Sequence, residues 1–144
     1  MHVVRIAVVD GQGGGIGRII VEKLRQAIGS ELFILGLGTN ALAASAMLKA
    51  GANEGASGEN AVVYCAPGVD MIAGSISIIA ANSFSGELTP RMAEAIGSSP
   101  AIRLLLPLNR SGIEIAGISD EPLPIQVDHL VDRVKMLVRQ YTTN

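Results

Sequence analysis

Two rhythms of apolar residues alternate along the chain: short unbroken runs, and longer stretches in which apolar positions recur every three or four residues. The first suits buried strands and the second amphipathic helices, so their alternation predicts a parallel sheet covered by helices. Residues 3–9 form the first run, interrupted only by Arg5, and end at a turn signal. Ile16, Ile19, Ile20, Leu24, Ala27 and Ile28 then follow at helical spacing, with Arg18, Glu22, Lys23, Arg25 and Gln26 on the other side, up to Gly29. Residues 32–37 are the second strand. Gly38, Thr39 and Asn40 come next, and Thr39 or Asn40 is the expected N-cap of a helix over 41–50 that Gly51 ends. Only Ser45 and Lys49 interrupt the apolar surface of that helix, which predicts burial on more than one side, against a partner subunit or within a well-covered core.

Residues 52–58, rich in Gly, Asn and Ser, read as a loop, and 59–66 as a short helix halted by Pro67 and Gly68. A third strand is expected over 70–74, and periodicity does not decide whether 75–82 is helix or strand. After a loop over 83–88, Thr89 caps a helix that begins at Pro90 and runs to Ile96, before Gly97. Residues 102–108 are the fourth strand. Asn109, Arg110, Ser111 and Gly112 are turn residues leading into 113–118, which predicts a hairpin and an antiparallel edge strand. In the last helix Asp120 and Glu121 stand near the start, Pro122 and Pro124 in the first turn and Arg139 in the last turn, in agreement with the helix dipole. Val127, Leu130, Val131, Val134, Leu137, Val138 and Tyr141 form its buried stripe. No repeat or linker divides the chain, so residues 1–144 are read as one domain.

Composition sharpens the picture. Aromatic residues make up only 3% of the sequence, so the core is aliphatic, as a parallel sheet of Val, Ile and Leu under Ala-rich helices requires. A formal charge of −2 leaves no basic footprint for a nucleic-acid backbone, and nucleic acid is not expected as a partner. Cys65 is the single cysteine, which excludes an internal disulfide and a cysteine-based metal cluster and fits a reducing, cytoplasmic setting. The N-terminus lacks the order of a signal peptide. The apolar stretch at 71–81 falls short of the roughly 20 residues that span a bilayer, so no membrane association is expected.

Candidate chemistry concentrates at Asp10, Gly11, Gln12, Gly13, Gly14, Gly15, Ile16 and Gly17, between the first strand and the first helix. Glycines let the backbone turn tightly and let a phosphate approach, while the first amides of a helix have no intrahelical acceptor. A nucleotide or another phosphate ester is therefore the expected ligand. In an open parallel sheet it would lie beyond the carboxyl ends of the strands, which adds Thr39, Asn40, Gly74, Ser75 and Asn109 as candidate binding residues, with Arg110 nearby. Asp10 at the mouth of such a site is expected to tie down the loop by accepting its amides. Asn82, Ser83, Ser85 and Glu87 form a polar cluster expected to serve loop and cap duties. Neither G-x-S-x-G nor G-x-x-x-x-G-K-[ST] occurs, so acyl transfer by a serine elbow and Walker-type hydrolysis lack support.

Gly11, Gly15 and Gly17 reproduce the G-x-x-x-G-x-G spacing of short-chain dehydrogenases, and the run 14–18 resembles their wording of it. That resemblance implies NAD or NADP. It stops short of catalysis, because Tyr64 is followed four residues later by Gly68 and not by the lysine those enzymes use, and Tyr141 stands almost at the chain end. Residues 36–40 also supply neither the acid that binds the ribose of NAD nor the arginine that accepts the extra phosphate of NADP. The stretches 10–17, 37–43, 47–56, 81–83 and 86–99 resemble an uncharacterised bacterial family of short Rossmann-like proteins, a domain of unknown function found chiefly in clostridia and their relatives. The resemblance covers nearly the whole chain and implies a single domain, with no reaction to carry over.

The expected architecture is α/β: a three-layer Rossmann-like domain with a mainly parallel five-stranded sheet in the order 2-1-3-4-5, the last strand antiparallel. The expected function is nucleotide or dinucleotide binding, as a sensor or accessory module, with a homo-oligomer formed in part through the second helix. The alternatives are a small NAD(P)-dependent oxidoreductase and an interaction protein that has lost its ligand.

Overall fold

The computed structural model describes residues 2–108 and 112–143. Five strands form one sheet, β1 (Val4–Asp10), β2 (Leu32–Gly38), β3 (Glu54–Ser57), β4 (Met71–Ser75) and β5 (Ile102–Leu106), in the order β3-β2-β1-β4-β5. Each described pairing is parallel, with Val8 opposite Gly36 on one side and Ala73 on the other. The helices are α1 (Gly15–Ile28), α2 (Ala41–Ala50), α3 (Glu59–Cys65), α4 (Pro90–Gly97) and α5 (Leu123–Thr143).

Strand periodicity divides the core. Val4, Ile6 and Val8 of β1 turn to the face covered by α1, α2 and α5, where they meet Ile20, Leu24, Met47, Val127 and Val134. Ala7 and Val9 turn to the other face, against Val62 of α3 and Met92 and Ile96 of α4. The change of face follows from topology. From β1 through β3 the chain advances toward one edge, and after β3 it returns across the sheet to β4 and β5, so a consistent crossover hand places α3 and α4 opposite α1 and α2. That reversal falls between β1 and β4, beyond whose carboxyl ends open sheets of this kind form a ligand crevice.

The Rossmann-like α/β fold expected from the sequence is therefore present, with one strand reassigned. The last strand of the sheet is parallel, not antiparallel. Residues 113–118 form no strand: Gly112 and Gly117 lie at φ 72° and 83° and bend the chain out of an extended path. The turn residues Asn109, Arg110 and Ser111 lie outside the described residues. The fifth strand is instead β3, at the opposite edge, in the segment read as a loop. One acid and three small residues carry no apolar alternation, yet Glu54 to Ser57 pair in register with Leu35 to Gly38. The expected order survives in β2-β1-β4-β5 with β3 added outside β2.

Local signals account for most element ends. Asn40 caps α2, its Oδ1 accepting from Ala43 N at 2.8 Å, and Gly51 terminates it at φ 124°. Thr89 caps α4 through Met92 N at 3.2 Å, with Pro90 in the first turn. Residues 75–82, left undecided by periodicity, contain a 3-10 turn over Ile76–Ile79. Helix α5 continues beyond Arg139 to Thr143, so that arginine does not stand in its last turn.

Candidate functional site

The loop between β1 and α1 is held from within by Asp10. This residue ends β1 on the α1 face and is 4% exposed. Its Oδ1 accepts from Gly11 N at 2.8 Å and its Oδ2 from Gly17 N at 2.6 Å. Gly14, in the left-handed region at φ 78°, precedes α1 without a side-chain cap, and the Asp10 carboxylate serves an amide of the first turn in its place. The expectation that Asp10 ties down the loop holds.

The glycines of this loop do different work. A Cβ on Gly17 would lie 2.7 Å from Met47 Sδ and 2.9 Å from Asp10 Cβ, so Gly17 permits α1 to pack closely on the sheet and on α2. On Gly14 it would meet the Ala43 backbone at 2.9 Å, and on Gly11 it would meet Phe84 and Thr39 Oγ1 at 2.8 Å. Gly13 and Gly15 differ, because a Cβ on either has nothing within 4 Å. Gly15 is exposed, while Ile16 turns into the core.

Beside this open stretch three donors converge on one atom. Gln12 N at 3.1 Å, Thr39 Oγ1 at 2.7 Å and Asn40 Nδ2 at 3.0 Å all donate to Glu87 Oε1. Asn40 Nδ2 also donates to Gln12 O at 3.0 Å, and Thr39 N donates to Asp10 O at 2.9 Å, which fixes the ends of β1 and β2 against each other. Hydrogen bonds to its charged form, that from Thr39 first and that from Gln12 next, hold the Glu87 carboxyl below its usual range.

Glu87 is delivered by a tightly wound segment. Asn82, Phe84 and Ser85 take φ of 67°, 56° and 56°, followed by Gly86 at 89°. Left-handed backbone is costly for residues with a Cβ, and a bulky one such as Phe84 keeps it only where its surroundings impose it. Here Ser83 Oγ donates to Ala80 O at 2.8 Å, Asn82 N to Leu88 O at 2.7 Å and Leu88 N to Ser83 O at 3.1 Å, while Leu88 is fully buried. The result sets the Phe84 ring over Gly11 and the Glu87 carboxylate over Gln12, Thr39 and Asn40.

On the β4 side of the crevice, Gly74 lets two backbones approach, since a Cβ there would stand 2.7 Å from Val9 O. Ser75 is 2% exposed, and its hydroxyl has no hydrogen-bond partner among the described residues; the same holds for Ser77. By strand alternation Ser75 shares the α1 face with Asp10, one strand over.

The structure thus brings together Asp10 to Gly17, Thr39 and Asn40, with Gly74 and Ser75 at the adjoining strand end; Asn109 lies outside the described residues. Sequence reasoning missed Phe84 and gave Glu87 only loop and cap duties. The available signal was the turn-forming run 82–86 followed at once by an acid. Cys65 is half-buried, burial raises its thiol pKa against an opposing effect of Arg5, and it stays away from the crevice at the far end of α3. Among the described residues no group of three or more His, Cys, Asp or Glu side chains is arranged to hold a metal ion. No described helix is long and apolar enough to cross a membrane.

A family model described as a domain of unknown function (DUF3842) matches residues 5–139. No curated protein matches the chain.

Proposed function

The chain belongs to the DUF3842 family, and from that premise we propose that it binds a nucleotide or dinucleotide at the loop between β1 and α1, as a sensor or accessory module. One observation carries this reading: the glycines of the G-x-x-x-G-x-G run divide their roles as a pyrophosphate-binding turn requires. Gly17 gives close helix packing, Gly11 stands in the turn that leaves β1, its carbonyl accepting from Gly14 N at 3.0 Å, and Gly15 with Gly13 leaves backbone facing open space. The location supports it as well, since the loop stands where the strand order reverses. The ligand class is a phosphate ester, with NAD, NADP and mononucleotides as the candidates. A binding role fits better than hydride transfer, because no acid or base among the described residues is disposed as in the dehydrogenases whose glycine spacing the chain shares.

A second reading, an interaction protein whose loop is sealed by its own side chains, is favoured by the Phe84 and Glu87 cover over Gly11 and Gln12. A thermal-shift screen with NAD, NADP, FAD, FMN, S-adenosylmethionine, ATP, GTP and inorganic phosphate separates the two. A ligand at about a hundred times its Kd adds about 2.7 kcal/mol to stability, a shift of several degrees. The binding reading expects such a shift, and expects Gly15→Leu to abolish it while the ligand-free melting point holds. A uniform absence of shifts would favour the interaction protein.

We also propose that the molecule self-associates through α2. Leu42 and Leu48 are 67% and 48% exposed, and Leu42 lines a shallow groove between α1 and α2 with Arg18, Glu22, Ala46 and Lys49.

A further inference from the structure

We propose that Gln12 N–H, Thr39 Oγ–H and Asn40 Nδ2–H form a receptor for an anionic oxygen, and that Glu87 is its built-in occupant, an internal competitor that a phosphoryl or carboxylate oxygen of an external ligand displaces. This rests on the reading that the loop is a nucleotide site, and adds how that site is regulated and which ligand group it grips.

Convergence is the first argument. Three donors from two segments far apart in the chain, the exit of β1 and the exit of β2, meet at a single oxygen within 2.7 to 3.1 Å. Each donor is separately anchored. Asn40 is fixed by its cap bond to Ala43 N, Thr39 by its own amide on Asp10 O, and Gln12 by the Asn40 bond to its carbonyl. The Asn40 side chain and the backbones of Gln12 and Thr39 are thus held by groups other than the acceptor, so the donors stay in place when it leaves, with the Thr39 hydroxyl turning to whichever oxygen replaces it.

The second argument concerns the acceptor. Glu87 is solvent-exposed, reaching the donors from a segment with three non-glycine residues in left-handed backbone. An exposed carboxylate that leaves the trio is rehydrated by solvent, whereas Asp10, nearly fully buried, has no such alternative to the amides of Gly11 and Gly17. Charge gives direction to the competition: while Glu87 occupies the trio, its carboxylate repels an incoming anion, and removing it clears both the place and the repulsion.

The proposal reverses the ordinary expectation for a binding-site mutation, since loss of a contact residue should strengthen binding. The test is titration of ADP and of inorganic phosphate into the wild-type protein, Glu87→Ala and the nearly isosteric Glu87→Gln, by calorimetry, with melting curves of the three ligand-free proteins. The expected result is at least roughly tenfold tighter ADP binding by Glu87→Ala, about 1.4 kcal/mol, a smaller gain for Glu87→Gln, and a phosphate affinity that rises in the same order. ADP binding that is unchanged or weakened in both variants would overturn the internal competitor and leave the nucleotide site standing. If neither probe binds any of the three proteins, the competitor falls, and the nucleotide reading is decided separately by the thermal-shift screen. Should Glu87→Ala unfold, Glu87→Gln alone decides by the same sign.

Discussion

Single atoms decide what the glycine loop tolerates. Gly15 and Gly17, two residues apart in one helical turn, have opposite surroundings: open space for the first, Met47 Sδ and Asp10 Cβ for the second. Gly17→Ala is therefore expected to cost about 1 to 3 kcal/mol through overpacking, while Gly15→Ala is neutral or slightly stabilising; urea melts of the two variants provide the check. Glu87 supplies a pH dependence with a defined sign. Its folded-state carboxyl is held below the ordinary range, so its bonds stabilise the fold fully above the unfolded pKa of about 4.3 and fade as pH falls through the lower folded value. The melting-point difference between wild type and Glu87→Gln should stay constant above about pH 5 and shrink below about pH 4. A difference that grew on acidification would contradict this role for the Glu87 carboxylate.

Among elements, the segment 82–88 shows how a short stretch can be expensive and still be kept. Ser85, exposed at φ 56°, is the position where relief is simplest, and Ser85→Gly is expected to raise stability by about 0.5 to 1 kcal/mol, read by chemical denaturation. The strands show where sequence pattern informs and where it fails. β1, β2 and β4 were legible because both of their faces are buried, which leaves continuous apolar runs. β3 was not, because it is a short edge strand in which Glu54, Gly55 and Ser57 are exposed, so no buried face imposes the apolar alternation that marks a strand. Residues 113–118 carried the alternation without the backbone to use it, since Gly117 takes a left-handed turn within the run. The site was half legible for a related reason. A glycine loop is written in consecutive residues, but Phe84 and Glu87 reach it from a distant segment, and no local period encodes that contact.

For the whole molecule, the self-association proposed through α2 is checked by sedimentation velocity at micromolar concentration. A dimer or larger species is expected, and Leu42→Glu should return it to monomer with its fold intact; a wild-type monomer would count against the α2 surface. The parallel sheet has a separate consequence for how the chain is made. β1 is the central strand, yet its two neighbours arrive at different times: β2 pairs with it from residue 32, β4 only from residue 71. During synthesis, a nascent chain that has emerged through β2 and α2 therefore holds its central strand with one edge unpaired. That edge stays open to any extended peptide until Met71 to Ala73 clear the ribosome, so this interval is the point in the protein's life at which a chaperone has most to protect.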